Sequence, residues 1–381
     1  MDFTFTDEQR LLKQTARELA DRELAPLAAE LDRTGTFPWR TVRLLGETGF
    51  FGLPLPAAYG GSDAGALAAT LVVEELARGC MATSSIVAAH YLAAWPIAIG
   101  GTDEQKRRFL PPVARGDAIA AYAQTEPEAG SDVAAMRATA RRDGDAYIID
   151  GTKRFITNGS VAGVCVVFAK TDPAAGHRGI SAFVVEQGTP GFSVSRLEHK
   201  MGQRAVPTAE LLFDNCRVPA TNRLGAEGTG FRLAMQTLDW SRPLIGAQAI
   251  GLGQAALDAA TAYAKQRQTF GKPIAEHQAV RMMLADMLTD LEAMRLLVYR
   301  AAALIDAGAA RWTLEASISK LFAGEASRRI VNAAVQIHGG YGYVNDFVVE
   351  RLYRDQRVLE LYEGTNEIQR LIIAREHLGE R

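Results

Sequence analysis

The sequence predicts an α+β chain in three parts: an N-terminal α-helical domain over 1–118, a central small β-barrel domain over 119–225 and a C-terminal four-helix bundle over 226–381. Three observations carry this. Apolar residues recur at helical steps at the start, short strand-like runs punctuated by turn pairs fill the middle, and long runs with few breakers fill the end. A chain of 381 residues is long enough for two or three such domains. Lys+Arg 42 against Asp+Glu 44 leaves a formal charge of −2, which speaks against a nucleic-acid partner. Cys80, Cys165 and Cys216 form neither a disulfide framework nor a C-x-x-C pattern, the usage expected in a reducing cytoplasm. The start, Met1-Asp2-Phe3-Thr4-Phe5, lacks the basic and apolar regions of a signal peptide.

Taken in order, Thr6-Asp7-Glu8-Gln9 is a capping box, and Leu12, Ala16, Leu19, Ala20, Leu24 and Leu27 then share one helix face. Gly60-Gly61-Ser62-Asp63 marks a loop, Ala66–Ala77 is helical, and Pro111-Pro112 is expected to close a helix over Asp103–Leu110. Between Gly79 and Thr102 there is no charge, a length that could span a bilayer. Its hydroxyls, His90, Pro96 and final glycines instead suggest a helix buried among others, with no membrane insertion. Ala146–Ile149, Val164–Ala169, Ile180–Glu186, Phe192–Arg196 and Ala209–Phe213 read as strands. Asp150-Gly151, Asn158-Gly159, Pro190-Gly191 and Asp214-Asn215 read as the turns between them, in a small antiparallel barrel or sandwich. Helical runs follow near 229–267, 276–307, 311–338 and 346–375.

No H-E-x-x-H, G-x-S-x-G, Walker A or strand-initiated G-x-G-x-x-G occurs, and the histidines show no metal-ligand spacing, so no metal is expected. Gly251-Leu252-Gly253 sits in a helical run, where small residues permit close helix packing. Four turn-rich segments remain. The first runs from Tyr122 through Gln124 and Thr125 to Gly130, Ser131 and Asp132. It is either a solvated turn, with Glu126 and Glu128 outside, Gly130 at positive φ and Asp132 as a cap, or a set of N–H and hydroxyl donors for a ring or phosphate. The second, Lys153 to Gly159, holds Phe155, a buried aromatic or a face for a flat cofactor, and Thr157, whose hydroxyl could reach a ring nitrogen. The third, Gln336 to Tyr343, packs Gly339, Gly340 and Gly342 into a tight turn or a close backbone approach to a ligand. Glu350, Arg351, Arg354 and Asp355 beyond it could form surface pairs. The fourth is Tyr362-Glu363-Gly364-Thr365-Asn366. A carboxylate there, amid Leu359, Leu361 and Ile368, is either a helix-start acid or a base raised by burial.

Together these segments resemble the acyl-CoA dehydrogenase family over essentially the whole chain. Thr125-Glu126-Pro127, with Gly130-Ser131-Asp132, is similar to its first signature, and Gln336 through Asp355, with Asp346 and Arg351, to its second. Arg267 to Lys272, followed by Glu276-His277-Gln278, resembles its cofactor-binding turn. The resemblance implies FAD between the β domain and the bundle, in a homotetramer built as a dimer of dimers. Tyr122, Gln124, Thr125, Gly130, Ser131, Phe155, Ile156 and Thr157 would contact FAD, with Thr365 and Glu367 completing the site. Arg267, Thr269, Phe270, His277 and Gln278 would meet the pyrophosphate region from the neighbouring subunit, and Gln336, Gly339 and Gly340 the adenosine. Asp239, Arg242, Ser131 and Gly364 would hold the acyl-CoA.

The resemblance further implies that Glu363 is the catalytic base. It would take the α-proton of an acyl-CoA while the β-hydride leaves to flavin N5, giving a trans-2-enoyl-CoA in fatty acid β-oxidation. The Glu363 N–H and a ribityl hydroxyl would bind the thioester carbonyl. An electron-transferring flavoprotein is the implied acceptor. Isovaleryl-type members carry the base near the CoA-binding Asp and Arg, where this chain has Trp240-Ser241. Glutaryl-type members place an Arg in the acyl-pocket helix, where Thr83–Leu92 offers only His90. Short, medium or lightly branched apolar acyl groups fit better; His90, Tyr91 and Trp95 either shorten the pocket or face away as core. A dehydrogenase of a carrier-protein thioester and an oxygen-using flavoenzyme of the same fold are the alternatives.

Overall fold

The computed structural model describes residues 4–379; Met1-Asp2-Phe3, part of the N-terminal stretch read above, and Glu380 and Arg381 lie outside them. Six helices come first: α1 (Asp7–Leu19), α2 (Ala28–Thr34), α3 (Trp39–Glu47), α4 (Gly65–Gly79), α5 (Met81–Gly100) and α6 (Asp103–Ala114). The Thr6 hydroxyl accepts from Gln9 N–H at 3.2 Å and Gln9 Oε1 from Thr6 N–H at 3.1 Å, so the capping box forms as read. Ala16, Leu19, Ala20 and Leu24 are buried, but Leu27 is exposed. A π-helical turn at Ala20–Leu24 and a 3₁₀ turn holding Pro26 shift the helical phase after Leu19. α6 continues through Pro111 and Pro112 to Ala114, so the proline pair occupies its last turn instead of closing it. α5 is long and apolar enough to cross a membrane, yet 83% of that stretch is buried against the rest of the protein.

The strands are β1 (Ala120–Ala123), β2 (Thr139–Asp143), β3 (Ala146–Thr157), β4 (Val164–Lys170), β5 (Ile180–Glu186), β6 (Phe192–Leu197), β7 (Thr208–Pro219) and β8 (Arg223–Leu224). They form one sheet in the order β6-β7-β3-β2-β4-β5-β8, with β1 added parallel to β4. The sheet does not close, so the expected barrel is an open sheet, and parallel pairs at β1·β4 and β2·β4 make it mixed. It nonetheless wraps one core, in which Cys165, Val167, Phe183 and Val185 meet Tyr147, Ile149, Leu211 and Phe213. The other face of β4 and β5, through Val166, Phe168, Ala182 and Val184, packs on Ile97, Phe109 and Val113 of α5 and α6. Asp150-Gly151 and Asp214-Asn215 are not turns. They lie inside the long strands β3 and β7 at an irregularity in their pairing, where the Asp150 carboxylate accepts from Asn215 N–H at 2.7 Å.

The C-terminal part holds α7 (Gly230–Gln266), a two-strand hairpin of β9 (Gln268–Thr269) and β10 (Lys272–Pro273), then α8 (Gln278–Asp306), α9 (Thr313–His338), α10 (Val348–Gln356) and α11 (Asn366–Leu378). α7, α8 and α9 pack on one another, α11 packs on α9, and α4 crosses α7. Gly251 makes that crossing possible, because a Cβ there would meet Glu74 O at 2.0 Å. The run expected as a fourth long helix is broken. A 3₁₀ turn over Arg357–Glu360 and an irregular stretch before Asn366 separate α10 from α11, and Glu363 lies in the break.

Candidate active site

Glu363 and Gly364 adopt consecutive left-handed conformations, φ 53° and 89°. A non-glycine residue there costs on the order of 1–3 kcal/mol unless its surroundings impose it. They do. Gln369 Nε2, one turn into α11, donates to Glu363 O at 3.2 Å and Gly364 O at 3.1 Å. Lys320 Nζ from α9 donates to Gly364 O at 2.8 Å and Asn366 Oδ1 at 3.1 Å. The Thr365 hydroxyl caps α11 by accepting from Ile368 N–H at 3.3 Å. Preceding the turn, the Tyr362 hydroxyl donates to Gln248 Oε1 at 2.7 Å.

The Glu363 carboxylate accepts a short hydrogen bond from the Ser241 hydroxyl on α7. Burial pushes its pKa up to about 7, opposed by that hydroxyl and by the positive charges of Arg242 and Lys320. Its backbone N–H meets no acceptor among the described residues. Burial lowers the pKa of Arg242, which Asp239 and Glu363 support, and burial raises that of Asp239 against the pull of Arg242. Asp239 and Arg242 pair directly, and Thr313 Oγ1 adds a hydrogen bond to Asp239 at 2.6 Å.

Tyr122 on β1 reaches the same group: burial and then the Glu363 charge raise its phenol well above the usual range. Its hydroxyl donates to the buried Gln124 at 2.6 Å. The loop that follows is a solvated turn only in part: Glu128 is exposed as read, but Glu126 is not. Glu126 is buried, pairs with the fully buried Lys153 of β3 at 2.7 Å, and accepts from Ala138 N–H at 3.0 Å. Gly130 does not have positive φ, and Asp132 makes no side-chain cap. Lys153 also donates to Gln124 O at 3.0 Å, and Arg154 N–H to Thr125 O at 2.8 Å, tying this loop to β3. Gly130 and Ser131 are exposed, Thr125 and Thr157 half-buried and Ile156 buried. Phe155 is not core: a bulge in β3 gives it φ 59° and leaves its ring 58% exposed.

Arg267, Thr269, Gly339 and Gly340 lie elsewhere and, with His338 and Asp346 among others, line an open groove of about 690 Å³. Thr269 Oγ1 bonds His277 Nε2 at 2.9 Å. Phe270 is left-handed (φ 50°) and 96% exposed. Gln278 and Gln336 are exposed on α8 and α9, and Glu367 on the first turn of α11. Of the charges beyond the glycines, Asp355 is buried, and Arg354 bridges Glu350 and Asp32, so they join α10 to α2 and are not a surface array. In α5, Tyr91 is fully buried in the core and bonds Phe50 O. His90, drawn down to about 3 by burial, accepts from Ala120 N–H at 3.1 Å. Both face away as core. Trp95 stacks on Trp240, with centroids 4.1 Å apart.

Sequence reasoning missed Ser241, Lys320, Gln369 and the Glu126–Lys153 pair. Lys320 alone left a signal, as a single charge amid Ala316, Ser317, Ser319, Ala323 and Gly324 on the buried face of a helix.

The three parts match family models for the acyl-CoA dehydrogenase N-terminal domain (residues 6–117), middle domain (121–216) and C-terminal domain (228–378). The chain is 47% identical to an NADH-dependent acryloyl-CoA reductase of Anaerotignum propionicum, covering 99% of this chain and 96% of the relative. It is 45% identical to a short-chain-specific acyl-CoA dehydrogenase of Clostridium acetobutylicum, covering 98% and 99%. The butyryl-CoA dehydrogenase of Megasphaera elsdenii superposes with a TM-score of 0.97 at 40% identity, over 99% of this chain and 100% of that one. FAD complexes share the fold at a TM-score of 0.95 and 33% identity. The chain is an oxidoreductase with FAD as cofactor, and it belongs to the acyl-CoA dehydrogenase family.

Proposed function

We propose that this chain removes the α-proton of a short or lightly branched acyl-CoA thioester with Glu363, forming a trans-2-enoyl-CoA. The observation that supports it is the Glu363 carboxylate, pushed up to about 7 in a turn fixed on both sides. A base whose pKa lies near the working pH combines an adequate ionised fraction with driving force for proton transfer. The Glu363 N–H is free to donate to the thioester oxygen, where charge develops as the α-proton leaves. Asp239 and Arg242, which flank Ser241 on α7, suit the polar part of the acyl-CoA. The relatives named for acryloyl-CoA and butyryl-CoA support the short acyl class.

The residues present fit FAD. Arg267, Thr269 and His277 supply donors for a pyrophosphate, Gly339 and Gly340 leave open space where a side chain would project, and Phe155 offers an exposed aromatic face beside Thr157. When bound, the flavin accepts the β-hydride. The groove of Arg267 and Gly340 would serve the cofactor of a neighbouring subunit in a dimer of dimers. The enzyme would work in the cytoplasm, in fatty acid β-oxidation, and pass its electrons to an electron-transferring flavoprotein; three free, buried cysteines suit a reducing compartment.

Glu363→Gln tests the assignment. The variant should retain FAD and bind acyl-CoA, yet lose about 10³-fold in the rate of anaerobic flavin bleaching, within the usual worth of a general base. Bleaching at the wild-type rate would remove Glu363 from the reaction.

A further inference from the structure

Lys320 differs from the other buried cations near the site. Lys153 faces the Glu126 carboxylate at 2.7 Å, and Arg242 is paired with Asp239. Lys320 is fully buried, and its Nζ is hydrogen-bonded only to neutral oxygens, Gly364 O at 2.8 Å and Asn366 Oδ1 at 3.1 Å. It makes no ion pair among the described residues. Burying an ammonium without a paired carboxylate costs several kcal/mol even after relaxation. The charges that face it are Glu363 first, then Arg242, Glu360 and Glu367. Those that face Glu363 are Arg242 from α7 and Lys320 from α9, with the Ser241 hydroxyl, Tyr122 and Tyr362 as neutral groups around it. Asp239 already balances Arg242. Burial lowers its pKa to about 8, so at neutral pH and below Lys320 is the unbalanced positive charge beside the carboxylate.

We propose that Lys320 is a positioning residue for proton abstraction: it holds the left-handed Glu363–Gly364 turn through Gly364 and Asn366, and its unpaired charge keeps Glu363 ionised before substrate reacts. This rests on Glu363 being the base. The two roles come apart by substitution. Lys320→Met removes both the donor and the charge, whereas Lys320→Gln leaves a neutral donor within reach of Gly364 O. Deleting a nearby positive charge favours the neutral carboxyl, so the ionisation of Glu363 moves to higher pH.

The test is anaerobic reduction of the FAD-loaded variants by butyryl-CoA, with the rate followed across the neutral pH range. In both variants the rise of the rate with pH should move upward by about one unit, at the low end of what an adjacent charge does. The plateau at high pH should fall further in Lys320→Met than in Lys320→Gln, which keeps a shorter neutral donor. A residue that merely fills space would lower the plateau and leave the pH profile in place, and an unmoved profile in either folded variant overturns the proposal. Loss of flavin by both variants would assign Lys320 to packing and overturn it too. Glu363→Gln, measured alongside, separates this from the base assignment. If that variant is still reduced, the base is wrong; if it is inert while Lys320→Gln keeps the wild-type profile, only Lys320 is wrong.

Discussion

Glu363 and Phe270 are both left-handed non-glycine residues at predicted ligand contacts, but the chain treats them in opposite ways. Glu363 is held by Gln369, Lys320 and Ser241, from three different helices. Phe270 is 96% exposed, and the ring nearest it is His277, edge-on at 6.0 Å. Backbone strain persists only where something over-determines it. For Glu363 that something is a set of side chains from α7, α9 and α11, which fix a carboxylate whose pKa burial raises. For Phe270 it is the two-residue hairpin between β9 and β10, whose backbone sets Phe270 and Gly271 both left-handed and holds the ring out in solvent. The Glu363 turn is held by side chains from three helices, and the Phe270 turn by its own backbone ladder.

The largest effect should come from breaking the internal scaffold. The Thr125 loop hangs on Glu126 and Lys153, which are 6% and 0% exposed. Glu126→Gln would leave the Lys153 ammonium buried without a carboxylate, a loss that typically costs about 3–5 kcal/mol. Chemical denaturation of the holoenzyme measures it. A loss below about 1 kcal/mol, the range of exposed pairs, would show that the pair does not hold the loop.

A smaller effect follows at the carboxylate itself. Ser241 donates to Glu363 and lowers a pKa that burial raises. Hydrogen bonds to charged groups are worth about 1.5–3 kcal/mol, and one pH unit corresponds to about 1.4 kcal/mol. Ser241→Ala should therefore move the rise of flavin reduction upward by about one unit, which costs about tenfold in rate on the acid side and little at high pH. A uniform loss at every pH would mean that Ser241 shapes the pocket and does not tune the base.

How much of this was legible in the sequence follows the range of the interactions. Ile180–Glu186 is a strand with the bounds read from it, and the helical runs near 229–267 and 311–338 became α7 and α9, because each carries its own periodicity. Glu363 stood out as a carboxylate amid apolar neighbours followed by a glycine. Ser241 did not, since it meets the turn across a long separation in sequence and a serine on a helix looks the same in solvent; Lys320 left only its place among small residues on one helix face, and nothing that pointed to the turn. Asp150-Gly151 and Asp214-Asn215 misled for a related reason. A bulge and a hairpin turn both need a residue that tolerates unusual φ, and only the partner strand tells them apart. The break before α11 carries no proline, and tertiary hydrogen bonds from Lys320 and Gln369 impose it.

The smallest effect on the isolated chain, and the sharpest for the comparison, belongs to Phe270. Phe270→Gly removes a side chain that buries almost nothing and relieves a left-handed conformation that glycine adopts freely. The stability of the flavin-free chain should then stay within about 0.5 kcal/mol of wild type, as for other surface changes. Flavin retention should weaken, because the ring would otherwise be buried against the cofactor or the neighbouring subunit. Full burial of a Phe side chain is worth about 1.5–3 kcal/mol, so the FAD dissociation constant should rise by roughly tenfold or more. Melting of the flavin-free variant and equilibrium release of FAD on dilution measure the two halves separately. A chain that is destabilised without its flavin would show that Phe270 has partners within its own fold. Unchanged FAD binding would leave the exposed ring without a role at the groove, and the contrast between a side chain held by its own fold and one held out from it would fall with it.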